Sequence, residues 1–161
     1  MIKSTDKPAG NGIWMSLSAI YTHGEKAQSI RHVVDQAMPE FRKLLTLPKN
    51  LQFRIAPIKA KHTNGTYSPE NKLIAIDCRL TWGKALEVLA HELVHAEQYH
   101  TGKLKKTYIK RKGWMHYWNG EIGSKGTTYK AYRDQPWEQE AWSRQAELAE
   151  RVCQALELKH G

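Results

Sequence analysis

The sequence predicts an α+β fold in which a small, mostly antiparallel sheet packs on a central helix, with further helices near both ends of the chain. Three observations carry this. Apolar residues recur at helical spacing in residues 24–45, 82–99 and 136–158. Short runs that alternate with period two, or are almost wholly apolar, fall at residues 51–58, 65–67 and 73–77. The order is helix, strands, helix, helix. With 161 residues, 40% hydrophobic and 25% charged, the chain is expected to form one globular domain over residues 1–161, with a core at about 24–158.

Residues 1–12 are rich in Gly, Ser, Thr and Lys and read as a loose N-terminus, followed by a short apolar segment around Ile13, Trp14 and Leu17 that is expected to dock. In residues 24–45 the positions Ile30, Val33, Val34, Ala37, Met38, Phe41, Leu44 and Leu45 form one helical face. Pro39 interrupts it, and because proline removes a backbone donor and clashes with the preceding turn, a kink or a break into two helices is expected there. Residues 51–58 predict a strand, and 65–67 with 73–77 predict two more, joined by a hairpin connection at 68–72. Thr81 is a good cap for the following helix, and Gly102 marks its end. Residues 103–135 show little regular pattern and read as a long connection with a tight turn at Asn119-Gly120. Pro136 suits the first turn of a last helix whose apolar stripe is Trp137, Ala141, Leu148, Val152, Ala155 and Leu156.

The chemistry is concentrated in the central helix, which carries His91-Glu92-Leu93-Val94-His95. A helix advances about 100° per residue, so two histidines four apart stand on one face and can grip one divalent ion. Zinc is the usual partner of paired imidazoles, and it lowers the pKa of a bound water towards ~7. Glu92 is placed to act as the base for that water. Leu86, Leu89, Ala90, Leu93 and Ala96 form the core stripe of this helix, while Val88, His91 and His95 lie opposite. An apolar β-branched residue among histidines implies that this second face is covered too and lines a cleft. Two acids begin the last helix. Glu140 falls on its charged side, four residues from Arg144, whereas Glu138 falls among Trp142, Gln145 and Ala149. A buried carboxylate needs a partner, so Glu138 is the expected third metal ligand.

The formal net charge of +9, with six Lys or Arg among residues 103–112, favours acidic or anionic partners; a nucleic-acid contact through that run is one expectation and a solvated loop the other. Cys78 and Cys153 are too far apart in sequence for a Cys-x-x-Cys site and suit a reducing, cytoplasmic setting. No run of ~18 apolar residues is present, so no membrane span is expected.

The two histidines with Glu92, followed by Glu138-Gln139-Glu140-Ala141-Trp142 in another helix, resemble the zincin metallopeptidases of the gluzincin type, and in size the chain is similar to minimal zincin domains of bacteria and their viruses. Glu138 and Ala141 match the family's ligand-helix pattern; Trp142 stands where that family carries an acid or amide that orients a ligand histidine. The resemblance implies a zinc-dependent endopeptidase acting on a peptide or protein substrate, with His91, His95 and Glu138 on Zn²⁺ and Glu92 as catalytic base. Tyr129, Tyr132 or His116 would steady the oxyanion. An edge strand near residues 66–68 would help set specificity. A metzincin is excluded by Gln98 and Thr101. The alternatives are a SprT-like, DNA-associated protease, with His116 as third ligand, and a catalytically silent zincin-like module that binds nucleic acid or a host protein.

Overall fold

A computed structural model describes residues 23–123 and 128–160. The expected loose N-terminus and docked segment therefore lie outside the described residues. Among the described residues the architecture is α+β, with four helices and two three-stranded sheets.

Helix α1 (His23–Leu44) runs unbroken through Pro39, so the expected division into two helices does not occur. Ala37, Met38, Phe41 and Leu45, on both sides of the proline, are buried in the same core. That burial keeps both halves in one helix and outweighs the lost backbone bond. Strand β1 (Gln52–Ala56) pairs in parallel with β3 (Leu73–Asp77), and β2 (Gly65–Ser68) pairs antiparallel with the other side of β3. The sheet order β1-β3-β2 leaves β2 at an edge, as expected for residues 66–68. Ile74 and Ile76 of β3 point into the core.

Helix α2 (Trp82–His100) starts at Thr81, whose hydroxyl accepts from Lys84 N at 3.3 Å. It stops before Gly102, which takes the left-handed conformation (φ +79°) that glycine adopts at little cost. Its predicted core stripe is fully inside: Leu86, Leu89, Ala90, Leu93 and Ala96 are at most 2% exposed. They meet α1 and the stripe of α4 (Pro136–His160), where Ala141, Leu148 and Val152 are buried. The opposite face, with Val88, His91 and His95, lines a cleft.

Residues 103–135 are not the irregular connection that was expected. Strands β4 (Leu104–Ile109), β5 (Gly113–Trp118) and β6 (Glu121–Ile122) form an antiparallel sheet, with the predicted tight turn at Asn119-Gly120 joining β5 to β6. A five-residue helix, α3 (Tyr129–Arg133), follows, its Thr128 cap accepting from Ala131 N. The basic run thus forms strand β4 and a hairpin turn rather than a loop. Lysine ammonium groups sit over aromatic rings here: Lys103 Nζ lies 4.6 Å from the centre of a Trp118 ring and Lys106 Nζ 4.8 Å from that of Trp114. No described helix is long and apolar enough to cross a membrane.

Candidate metal centre

The cleft, of about 1220 Å³, lies between the edge strand β2, the outer face of α2, the β4–β5 hairpin, and helices α3 and α4. At its floor α2 and α4 bring three expected residues together. His91 Nε2 and His95 Nε2 are 3.2 Å apart; Glu138 Oε2 lies 3.2 Å from His91 Nε2, and Glu138 Oε1 3.1 Å from His95 Nε2. Among the described residues this is the group of His, Cys, Asp and Glu side chains that could hold a metal ion.

Which protons these rings carry follows from their other nitrogens. His91 Nδ1 faces Gln145 Oε1 at 2.8 Å, and Gln145 Nε2 donates to Glu87 at 2.9 Å. A carboxylate only accepts, so the amide is fixed with its oxygen towards the histidine, and Nδ1 must carry the proton. Gln98 does the same for His95: its oxygen is 2.8 Å from Nδ1 while its nitrogen donates to the Trp137 carbonyl at 3.0 Å. Both Nε2 atoms are therefore bare lone pairs in the neutral rings, and Glu138 adds an anion. Three acceptors face one another with no donor between them.

Glu138 records the consequence. It is 3% exposed, and its Oε2 has no hydrogen-bond partner, although His91 Nε2 stands 3.2 Å away. Burial pushes its carboxyl up, but His91 and His95 when their rings are protonated, together with the Tyr132 phenol, more than offset this and hold it down at about 2. His95 is raised above the ordinary imidazole value: burial opposes its charge, and the neighbouring Glu138 and Glu92 carboxylates prevail. The pocket therefore attracts positive charge. The spacing suits a small ion, because four ligands placed tetrahedrally at about 2.0–2.1 Å stand roughly 3.3 Å from each other.

Glu92 follows His91 on α2 and is buried in the cleft floor. Burial raises its pKa, and the Glu138 charge adds to the rise against the pull of the two imidazoles. Close beside it is Gly65, at the start of β2. A Cβ there would stand 2.5 Å from Val88 Cγ1 and 3.3 Å from Glu92 Cγ, so the absence of a side chain lets the edge strand come up against the helix.

The remaining expected residues are spread around the walls. Tyr132, on α3, is half-exposed but lies against Glu138, and burial of its hydroxyl, with the Glu138 charge, keeps the phenol protonated far above neutrality. Tyr129 lines the mouth and is more exposed. His116, on β5, stacks on Trp137 at 5.2 Å and stands outside the His–His–Glu group. Glu140 points away from the cleft, paired with Lys103 and, at 3.3 Å, with Arg144 as its spacing implied. Trp142 packs edge-on against His91 at 5.1 Å and carries Arg133 on its face.

Two residues with direct contacts to the site were missed by sequence reasoning, Gln98 and Gln145. Gln145 takes up the orienting task one turn beyond Trp142, where the zincin pattern leads one to look. The available signals were positional: Gln145 is seven residues after Glu138 and so on the same helical face, and Gln98 is one turn after His95.

Compared with curated proteins and with solved structures, the chain finds no match. One family does match, described as "Putative metallopeptidase family (DUF6782)", over residues 15–118. The matched segment contains His91, Glu92 and His95, and ends before Glu138. Spanning well over half of the sequence, the match shows that the chain belongs to this metallopeptidase family.

Proposed function

We propose that the protein is a zinc-dependent endopeptidase of the gluzincin type, with His91, His95 and Glu138 as metal ligands and Glu92 as catalytic base. The observation that carries this reading is the convergence of three acceptor atoms at ligand spacing, one of them a buried carboxylate oxygen with no hydrogen-bond partner. The donor set of two imidazoles and one carboxylate is the one that suits an open catalytic zinc site. When bound, the ion supplies Lewis acidity that polarises a peptide carbonyl and makes water nucleophilic near neutral pH.

The chain's own groups supply the rest. Glu92 takes the proton of the attacking water on its carboxylate and passes it to the departing amine nitrogen, so that the C–N bond breaks with a neutral leaving group. Burial raises its proton affinity and so brings it closer to that of the groups between which it moves the proton. Tyr132, kept protonated beside Glu138, donates its hydroxyl hydrogen to the developing oxyanion. His116 and Tyr129 stand further along the walls and are the other donors available there. Gln98 and Gln145 fix the two imidazoles in the tautomer that points Nε2 at the centre.

The decisive experiment pairs elemental analysis with peptide hydrolysis in the wild type and in Glu92→Gln. Zinc in both and hydrolysis in the wild type alone supports the assignment. A wild type that holds no metal, or a Glu92→Gln variant that cleaves as fast, overturns it.

A further inference from the structure

The β4–β5 hairpin lines the cleft with Leu104, Lys106, Trp114 and His116 of one face and Met115 of the other. In the register Leu104 is opposite Trp118, Lys106 opposite His116 and Tyr108 opposite Trp114, so these six side chains share a side. That face runs outward from the metal centre in steps: Glu138 adjoins Trp137, Trp137 stacks on His116, His116 neighbours Lys106, and Lys106 lies over Trp114. Among the described residues that line the cleft, the acids are Glu92 and Glu138, both committed at its floor. Lys61, Lys84 and Lys106 bring positive charge to its walls.

Among the described residues Lys106 has an acidic partner, and it comes from the other side. Glu70, in the turn between β2 and β3, reaches Lys106 Nζ at 3.2 Å. The pair joins the edge-strand wall to the hairpin wall across one end of the cleft. Both side chains are partly in water, Glu70 by half and Lys106 by less. An ion pair of this kind contributes little and exchanges readily. The Glu70 carboxylate also acts on Tyr99 of α2, which feels Glu138 as well and is pushed up to about 12, first by burial and then by these charges. Glu70 is thus an acidic group resting on a cleft-lining lysine whose ammonium sits over an aromatic ring.

We infer that Lys106 is a specificity-determining residue of this cleft, and that it takes an acidic side chain of the substrate peptide in the place where Glu70 rests. The inference depends on the peptidase reading above and deepens it by naming the substrate class: polypeptide segments with Asp or Glu close to the scissile bond. Trp114 lies beneath the ammonium and limits where it can sit. Glu70 keeps the lysine occupied until an acidic substrate displaces it.

The test uses the full-length, metal-loaded protein and a peptide library in which one position at a time is Glu, Gln or Lys, with hydrolysis followed by mass spectrometry. The wild type is expected to favour Glu at one position by about two- to five-fold, the range an exposed ion pair commands, with the difference in KM rather than kcat. Lys106→Glu reverses the preference towards Lys. Lys106→Met abolishes it without reversal, and serves if the charge reversal fails to fold. Glu70→Gln lowers KM for the Glu peptides and leaves kcat unchanged. Hydrolysis that is blind to charge at every position overturns the inference and leaves the peptidase reading standing. A wild type inert on the whole library overturns both. Charge-blind hydrolysis together with salt-sensitive DNA binding that Lys106→Glu removes would assign the hairpin to nucleic acid, and the acidic subsite would fall.

Discussion

Asp77, at the end of β3, and Glu138, in the first turn of α4, are both buried acids, 4% and 3% exposed, yet the fold surrounds them in opposite ways. Each oxygen of Asp77 is met by donors: Oδ1 accepts from Arg79 N and Nε at 2.9 Å, and Oδ2 accepts from Ile58 N at 3.1 Å and Arg79 Nη2 at 2.7 Å. Glu138 is met by two imidazole nitrogens that the glutamines behind them have turned into acceptors, and one of its oxygens has no hydrogen bond. The first arrangement is complete as it stands and ties the loop after β1 to the start of α2. The second becomes favourable only when something positive enters. Burial alone therefore does not separate structural from functional carboxylates; the count of donors around them does.

The contrast can be attacked by substitution. The largest effect is expected at Glu92, the proposed base beside the open cluster: Glu92→Gln should lower kcat for peptide hydrolysis by about 10²–10⁴-fold while metal content, read by elemental analysis, stays at the wild-type level. Glu138→Gln should instead bring metal content to background. In that variant a chelator should no longer change the melting temperature, whereas wild type should lose about 2.7 kcal/mol of stability when the ion is withdrawn from a hundredfold excess over Kd. Gln145→Met, which keeps the volume but removes the acceptor at His91 Nδ1, should weaken metal affinity by about 10–100-fold in a competition titration. Asp77→Ala should do the reverse of all these: a loss of about 1–3 kcal/mol in denaturant unfolding, from the stranded Ile58 and Arg79 donors, with kcat per folded molecule unchanged.

Acid titration sharpens the same point. Arg79 hydrogen bonds hold the Asp77 carboxyl at about 2 against the opposing effect of burial. A folded pKa below the unfolded value of about 3.9 means a contribution that is full above about pH 4 and is lost as the pH falls towards 2. Melting temperatures of wild type should drop through that window, and Asp77→Asn should show a shallower drop. A stability loss of the same order as at Asp77 is expected at Gly65→Ala, where the added methyl must push Val88 or Glu92 aside. About 1–3 kcal/mol of stability and part of kcat should go together, measured by unfolding and by hydrolysis.

Much of this was legible in the sequence where the period was clean. The stripes of α1, α2 and α4 and the strands β1 to β3 came from spacing. Glu138 was chosen over Glu140 by its place on a helical wheel, which matches the burial of the first and the Lys103 and Arg144 pairs of the second. The second sheet was hidden because, apart from Leu104, the residues of its strands are only partly buried or exposed. In β4 the alternation of Leu104, Lys106 and Tyr108 against Lys105, Thr107 and Ile109 does not separate apolar from polar, since lysines over rings replace aliphatic residues. Helix α3, with five residues, is too short to carry a period. Pro39 misled because a local penalty was weighed without the core on either side of it. The glutamines were invisible as site residues because an amide serves equally well at a surface, and its task here depends on what holds its other end.

The stem of the second sheet has one more implication. The chain leaves α2 at Gly102 and returns to α4 at Pro136, and Lys103 at the outgoing end is bonded to Glu140 at the incoming one, while Asn119 N donates back to the Lys103 carbonyl. The stretch in between is an excursion pinned at its base, so its tip can be lengthened, shortened or exchanged for another sequence without moving the helices that carry the histidines and Glu138. Changes at the β4–β5 tip are thereby separated from the proposed chemistry, and a library randomised there is the natural material for altering what the cleft accepts.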